Sequence, residues 1–333
     1  MLFQEVCIKC PSFHIILIFI FILSSQNSYS KECNPQPKST FKYFKGKYFL
    51  TSKPADFDPC HLSVRFKIPK SKKPPPLVIG IGGGGGRKDA ERLMNFLYKN
   101  GFATIEFDTY QMNGISNYFE KGNSIKYGND TRQEMIFPIS KQVVEWSFKQ
   151  KKIDQSRIYV YGISNGATVA ANIAALFDSR KIKAVISDAP THSGMGMPDD
   201  INVPMVLTFG KLDNYGATKE NGWRWLWHGR CVMSVKIKDA PLGNTKNCNR
   251  DISRFGDTNN ENHLIWFEKQ KNKGKKINMW FYEDSAHGIY VTDLKFKKQK
   301  HKVLDLTFYQ NVGGKPSAQK KFANDILNYL NTN

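Results

Sequence analysis

The pentapeptide Gly162-Ile163-Ser164-Asn165-Gly166 constrains this chain more than any other feature. Ahead of it, Arg157 to Tyr161 (RIYVY) reads as a strand, and behind it ATVAANIAALF reads as a small-residue helix. A chain that passes from strand to helix in so few residues must turn sharply. The positions two before and two after the serine then come close enough that only a small residue fits, and both are glycine. Such a turn lifts a hydroxyl to the end of a sheet and aims a helix N-terminus at whatever reacts there. Ser164 is therefore the candidate nucleophile.

A serine hydroxyl is a poor nucleophile until a base takes its proton and an acid orients that base. On a strand–turn–helix serine the partners follow in the chain order serine, acid, histidine. The acid belongs just after a strand, and Val206 to Asp213 (VLTFGKLD) supplies Asp213. The base belongs in a loop after the last core strand, and Trp280 to Gly288 (WFYEDSAHG) supplies His287. Asp188 and Asp284 are the less suitable acids. His61, His192, His228, His263 and His301 are scattered and read as surface or packing residues, with His192 and the tryptophans Trp223, Trp225 and Trp227 as candidates to shape a pocket.

The run Gly82 to Gly86 follows the short apolar stretch Leu77 to Ile81. Consecutive glycines let backbone N–H groups approach a ligand closely. No Lys-Ser/Thr pair follows, which excludes a phosphate-binding P-loop. The run reads instead as an oxyanion loop, with donors expected from the backbone N–H of Asn165 and of Gly83 or Gly84.

Apolar patterns of strand length alternate with helical ones along most of the chain. Strands are expected at 61–68, 77–81, 102–107, 157–161, 184–186, 205–209 and 277–282. Helices are expected at 88–99, closed by Asn100-Gly101, and at 132–149, 164–177 and 319–330. This alternation predicts an α/β fold with a mostly parallel central sheet flanked by helices. Residues 31–73 form a lead-in with the first strand, and 109–131 are loop-like. Residues 215–258 break the rhythm and read as an inserted, cap-like segment over the carboxyl edge of the sheet, within a catalytic domain of 74–333.

Residues 1–30 have the form of a cleaved signal peptide: Lys9, an apolar run from Ile15 to Leu23, then Ser28-Tyr29-Ser30. The apolar run is far short of the roughly 20 residues a membrane span needs. A secreted or periplasmic location is expected. Cleavage leaves Cys33, Cys60, Cys231 and Cys248, which suggests two disulfides with three possible pairings. No zinc-type spacing is present, and neither metal nor organic cofactor is implied. The net charge of +20 favours weak contact with anionic surfaces. No nucleic-acid-binding motif accompanies it.

With these residues placed, the chain resembles the dienelactone hydrolase-like branch of the α/β-hydrolases. The likeness runs through LVIGIGGGGG, GFATIEFDTY, the TRQ of Thr131 to Gln133, IDQSRIYVYGISNGA, TFGKLD and YEDSAHG. The dienelactone hydrolases proper carry a cysteine where this chain has Ser164, and the histidine that often precedes the family's glycines is absent. The resemblance implies an α/β-hydrolase fold and a triad of Ser164, Asp213 and His287. The expected activity is hydrolysis of a small-molecule or polymer ester. A serine peptidase on the same fold and a non-catalytic basic protein of the cell envelope are the alternatives.

Overall fold

The computed structural model describes residues 41–44, 47–50, 53–115, 129–191, 195–213, 217–218, 263–301, 306–309 and 311–333. In chain order the strands are β1 (Phe41–Phe44), β2 (Lys47–Leu50), β3 (Arg65–Lys67), β4 (Leu77–Ile81), β5 (Ala103–Phe107), β6 (Ile158–Ile163), β7 (Ala184–Asp188), β8 (Met205–Gly210), β9 (Ala217–Thr218), β10 (Ile277–Tyr282), β11 (Lys298–His301) and β12 (Leu306–Tyr309). The helices are α1 (Lys88–Lys99), α2 (Thr109–Met112), α3 (Asn129–Ser147), α4 (Asn165–Leu176), α5 (His263–Asn272) and α6 (Pro316–Thr332).

Seven strands form the main sheet in the order β10-β8-β7-β6-β4-β5-β3. All neighbours are parallel except β3, which runs antiparallel to β5 at the edge. Because β5 lies on one side of β4 and β6 on the other, the strand order reverses between β4 and β6. In open α/β sheets the crevice at the carboxyl ends beside that switch point is the usual ligand site. The glycine run leaves β4 there and Ser164 leaves β6.

Side-chain alternation along β4 divides the core. Leu77, Ile79 and Ile81 join the cluster with Met135, Ile139 and Val143 of α3, Val169 and Ile173 of α4, and Trp266 of α5. Val78 faces the second cluster, with Leu93, Met94 and Leu97 of α1 and Phe322, Ile326 and Leu330 of α6. Both faces of the sheet are thus covered, as near-continuous apolar strands require. The expected α/β class and mostly parallel sheet are observed.

The finer expectations differ at several places. Strand 61–68 shrinks to β3, because His61 to Val64 are drawn into a turn by the Val64 N–H to His61 carbonyl bond of 2.9 Å. The loop-like stretch 109–131 contains α2, started by Asp108, whose carboxylate accepts the N–H groups of Tyr110 and Gln111 at 3.1 Å each. Helix α3 starts at Asn129 with Pro138 inside it, and α6 begins at Pro316, whose fixed φ suits a first helical turn. The lead-in carries the antiparallel hairpin β1–β2. A further small sheet, β11-β12-β9, and helix α5 were not foreseen. The cap-like insertion lies outside the described residues apart from β9 at its start. Cys60 is disulfide-bonded; Cys33, Cys231 and Cys248 lie outside the described residues, as does the signal segment. Among the described residues no helix is long and apolar enough to cross a membrane.

One buried charge sets a testable feature of the fold. Glu106 on β5 is almost fully buried, and neither carboxylate oxygen accepts a hydrogen bond among the described residues. Arg87 Nη1 and Lys67 Nζ stand 3.6 and 3.9 Å from it. Burial pushes its carboxyl above the usual range, against the pull of Arg87 and Lys67. The folded chain thus holds this proton to higher pH than the unfolded chain does. The group's contribution to stability is fullest below its ordinary pKa and is lost as pH rises through its folded value. Glu106→Gln is therefore expected to raise the melting temperature relative to the parent at pH 8 by more than at pH 4. Melting curves across that range check the sign.

Candidate active site

The turn between β6 and α4 has the geometry that its sequence demands. Ser164 is held at φ 57° and ψ −121°, a left-handed conformation rare outside glycine. Such a residue costs roughly 1–3 kcal/mol, and clustering of this strain at reactive positions is a recognised pattern. The strain is held by the backbone: Ser164 N–H donates to the Asp188 carbonyl at 2.9 Å, and the Ser164 carbonyl accepts from Ala167 at 2.9 Å. A Cβ at Gly162 would lie 2.1 Å from the Gly166 carbonyl oxygen, and one at Gly166 would lie 2.4 Å from the Gly82 and Ile81 oxygens. Both flanking glycines are thus obligatory, one for the turn itself and one for the approach of the neighbouring strand.

Asp213 follows β8 and His287 follows β10, and the structure brings them together. His287 Nδ1 lies 3.2 Å from Asp213 Oδ2, with Asp213 at 2% and His287 at 8% exposure. The two loops are stitched by the Leu212 N–H to Ser285 carbonyl bond at 2.7 Å and by Lys211 N–H to the Tyr282 carbonyl at 2.9 Å. Gly210 allows this approach, since a Cβ there would stand 2.4 Å from the Ala286 oxygen. The segment 311–314 braces the histidine from the far side: His287 N–H donates to the Asn311 carbonyl at 3.2 Å and Gly313 N–H to the His287 carbonyl at 2.9 Å. The neighbour of each key residue also meets its counterpart, because the Cβ position of Gly288 lies 2.7 Å from Ile163 Cδ1.

The other two acids are engaged elsewhere. Asp188 is fully buried at the end of β7, where its carboxylate accepts from Tyr161 Oη at 3.1 Å and Thr208 Oγ1 at 2.9 Å. Burial, reinforced by Asp188, keeps Tyr161 a phenol by pushing its pKa up. Asp284 is an exposed partner of Lys315 Nζ at 2.9 Å. His263 packs its ring on Phe209 with centroids 5.3 Å apart, and His61 Nδ1 lies 2.7 Å from Ser63 Oγ. His192, His228 and the three tryptophans lie outside the described residues.

The glycine run lies directly against the serine, the Cβ position of Gly83 being 2.8 Å from Ser164 Cβ. Asn165 is the first residue of α4, so its N–H has no intrahelical acceptor. Its side chain is held as well: Gln133 Nε2 donates to Asn165 Oδ1 at 3.0 Å and to Thr191 Oγ1 at 3.2 Å, while Gln133 Oε1 accepts from Met195 N–H at 2.7 Å. This buried amide ties α3, the start of α4 and the loop after β7 together. Sequence reasoning gave Gln133 no role, although it stands in the TRQ triplet. Asp89 was likewise passed over. Its carboxylate accepts from Gly85 N–H at 2.6 Å and faces Gly83 N–H as well. Burial lifts this carboxyl to about 6 against the pull of those two donors. Among the described residues no group of His, Cys, Asp or Glu is arranged to hold a metal ion.

Residues 62–223 match the model of the dienelactone hydrolase family. The match spans β3 to β9 and includes Ser164 and Asp213 but stops before His287. Curated proteins yield no match. Similar solved structures include a putative dienelactone hydrolase from Klebsiella pneumoniae subsp. pneumoniae, at 14% identity over 66% of this chain and 78% of that one, with a TM-score of 0.41. Est1E from Butyrivibrio proteoclasticus with ferulic acid bound is 14% identical over 68% of this chain and 86% of its own, TM-score 0.39. Esterase 2 of Thermogutta terrifontis, phosphoramylated by tabun, is 13% identical over 88% and 93%, TM-score 0.46. The family match covers just under half of the chain and lies over a parallel sheet that turns sharply at Ser164, so this segment is similar to the dienelactone hydrolase family.

Proposed function

We propose that the chain cleaves carboxylic esters in two acyl-transfer steps, with Ser164 as nucleophile, His287 as base and Asp213 as its orienting acid. The observation that carries this reading is the strained Ser164 at the head of α4, beside a loop pair that joins His287 Nδ1 to Asp213 at 3.2 Å. With Nδ1 engaged by the carboxylate, Nε2 is the nitrogen left to take the serine proton. Ser164 Oγ attacks the ester carbonyl carbon, and the C=O electron pair moves to oxygen. Backbone N–H groups of Asn165 and of the glycine loop hold that oxyanion. The alcohol then leaves with the proton from His287, and water, activated by the same imidazole, releases the acid. Loss of one oxyanion donor in such a site typically costs about 3 kcal/mol. Reaction with a fluorophosphonate is expected to label Ser164 alone, read by peptide mass. An ester panel beside a peptide library then separates ester from amide hydrolysis, and a protein that is neither labelled nor active on esters sinks the reading.

Export is part of the same proposal. Residues 1–30 have the pattern of a signal peptide, and Cys33, Cys60, Cys231 and Cys248 would pair in an oxidising compartment. Amino-terminal sequencing of the protein recovered outside the cytoplasm is expected to start at Lys31.

We propose in addition that weak contact with an anionic surface is made by the loops at the amino edge of the sheet. The loops at the amino edge of the sheet, 69–76, 99–102, 149–157, 178–183, 199–204 and 273–276, hold fourteen lysines and arginines against four aspartates. Three of those aspartates are paired locally, with Arg157 at 2.7 Å, Arg180 at 2.7 Å and Lys275 at 2.9 Å. The carboxyl-edge loops 82–87, 108–115, 188–191, 211–213, 283–297 and 311–315 hold five basic residues against six acidic ones. Among the described loops, the excess charge is on the edge opposite Ser164. Reversing Lys72, Lys151 and Lys181 to Glu is expected to abolish low-salt co-sedimentation with phosphatidylserine vesicles while leaving ester turnover unchanged. Equal binding by parent and variant refutes the placement.

A further inference from the structure

Five consecutive glycines offer several N–H groups to an oxyanion, and the structure separates them. The Gly86 N–H donates to the Gly83 carbonyl at 3.1 Å, closing a turn over Gly83–Gly86. The Gly85 N–H donates to Asp89 Oδ2 at 2.6 Å, and the Gly83 N–H faces the same carboxylate. Three of the candidate donors are thereby spent on the loop itself.

Gly84 is different. Its N–H belongs to the same planar trans peptide as the Gly83 carbonyl, so the two point in opposite directions. That carbonyl is gripped twice, by the Gly86 N–H and by the hydroxyl of buried Tyr110 at 3.1 Å. With the carbonyl turned to those donors, the Gly84 N–H is turned away from them, and no acceptor for it occurs among the described residues. Among the described residues, a Cβ at Gly84 would meet only Arg132 Nη1, at 3.5 Å. Its neighbour Gly83, by contrast, is wedged against Ser164, with Cβ positions 2.8 Å apart. The loop therefore stands beside the nucleophile with one peptide oriented from both ends.

We propose that Gly84 N–H is the glycine-loop donor to the oxyanion, and that Tyr110 and Asp89 are positioning residues that fix its peptide. Tyr110 sets the plane through the Gly83 carbonyl. Asp89 draws the flanking N–H groups of Gly83 and Gly85 to the back of the loop, which stops them from competing and holds the turn against rotation. Neither side chain touches the substrate. This rests on the acyl-transfer reading of Ser164 given above.

The sequence position allows a clean test. Gly84 is the second residue of the Gly83–Gly86 turn, where proline is well accommodated, and proline there removes the N–H while adding its ring. Gly84→Ala keeps the N–H and meets an ordinary contact. On p-nitrophenyl acetate, Gly84→Pro is expected to lower kcat roughly 100- to 1000-fold with KM little changed. Gly84→Ala, which keeps the donor but adds a methyl group, is expected to retain at least about tenfold more kcat than Gly84→Pro. Tyr110→Phe and Asp89→Asn are expected to lower kcat about 10- to 100-fold, again without a matching rise in KM, because a donor misplaced by a fraction of an ångström stabilises the transition state poorly. These two variants keep the question open to refutation should Gly84→Pro fail to fold. Equal kcat for Gly84→Pro and Gly84→Ala overturns the assignment, as does a change confined to KM in Tyr110→Phe and Asp89→Asn. Fluorophosphonate labelling of the parent separates the two levels of inference. A labelled, active parent with indifferent loop variants removes only the Gly84 assignment, whereas an unlabelled, inert parent removes the triad reading and this one with it.

Discussion

Ser164→Ala is expected to lower turnover of short-chain p-nitrophenyl esters by about 10⁴- to 10⁶-fold, the scale reached when the nucleophile of a catalytic triad is removed. The fold should persist, because the hydroxyl makes no structural hydrogen bond among the described residues and its position is imposed by the backbone. Ser164 N–H and carbonyl are bonded to Asp188, Ala167 and Thr168 whichever side chain is present. Ser164→Gly supplies the second half of the argument. It abolishes the nucleophile equally, yet it relieves the φ of 57°, and is expected to stabilise the protein by about 1 kcal/mol over the alanine variant. Parallel rate and melting measurements check both directions. Equal melting temperatures for the two variants would show that the turn carries no strain.

Gly162→Ala should have the largest effect on stability. The added Cβ would stand 2.1 Å from the Gly166 carbonyl oxygen and 2.7 Å from Ala170 Cβ. Neither neighbour can give way, since Gly166, in the first turn of α4, is itself pressed against the end of β4. The expected loss is about 3 kcal/mol or more, at the upper end of overpacking effects, with activity lost in whatever fraction still folds. Gly101→Ala is the control. A Cβ there meets nothing within 4 Å among the described residues, so the positive φ of 90° is what opposes it. Denaturant melts of the two variants distinguish a steric requirement from a conformational one.

Much of the site was legible because its determinants are local. The elbow is a short-range steric problem, so its solution, glycine on either side of Ser164, is written within five residues. Asp213 and His287 could be placed because each closes an apolar run of strand length, and parallel strands deliver their carboxyl ends to one edge. Helix α1 was bounded correctly at both ends, its stop marked by Asn100-Gly101. Helix α2 was missed, although the Asp108 cap that starts it is a local signal; four residues are too few for a helical period to be seen.

Other features were beyond reach of pattern. The hairpin β1–β2 and the sheet β11-β12-β9 are two to four residues per strand, too short for alternation to be distinguished from chance. Gln133 joins three segments whose partners lie 32 to 62 residues away. A single amide carries no sequence mark of such a role.

The residues themselves determined the α/β class and the sharp turn at Ser164, because glycine sterics and strand period act over a few residues. Tertiary structure decided the rest. It set Asp213 rather than Asp188 or Asp284 against His287, by stitching the loops after β8 and β10. It also separated the N–H groups of the glycine run, engaging those of Gly83, Gly85 and Gly86 within the loop. The orientation of a peptide plane depends on what grips its carbonyl, and Tyr110 lies 27 residues away in the chain.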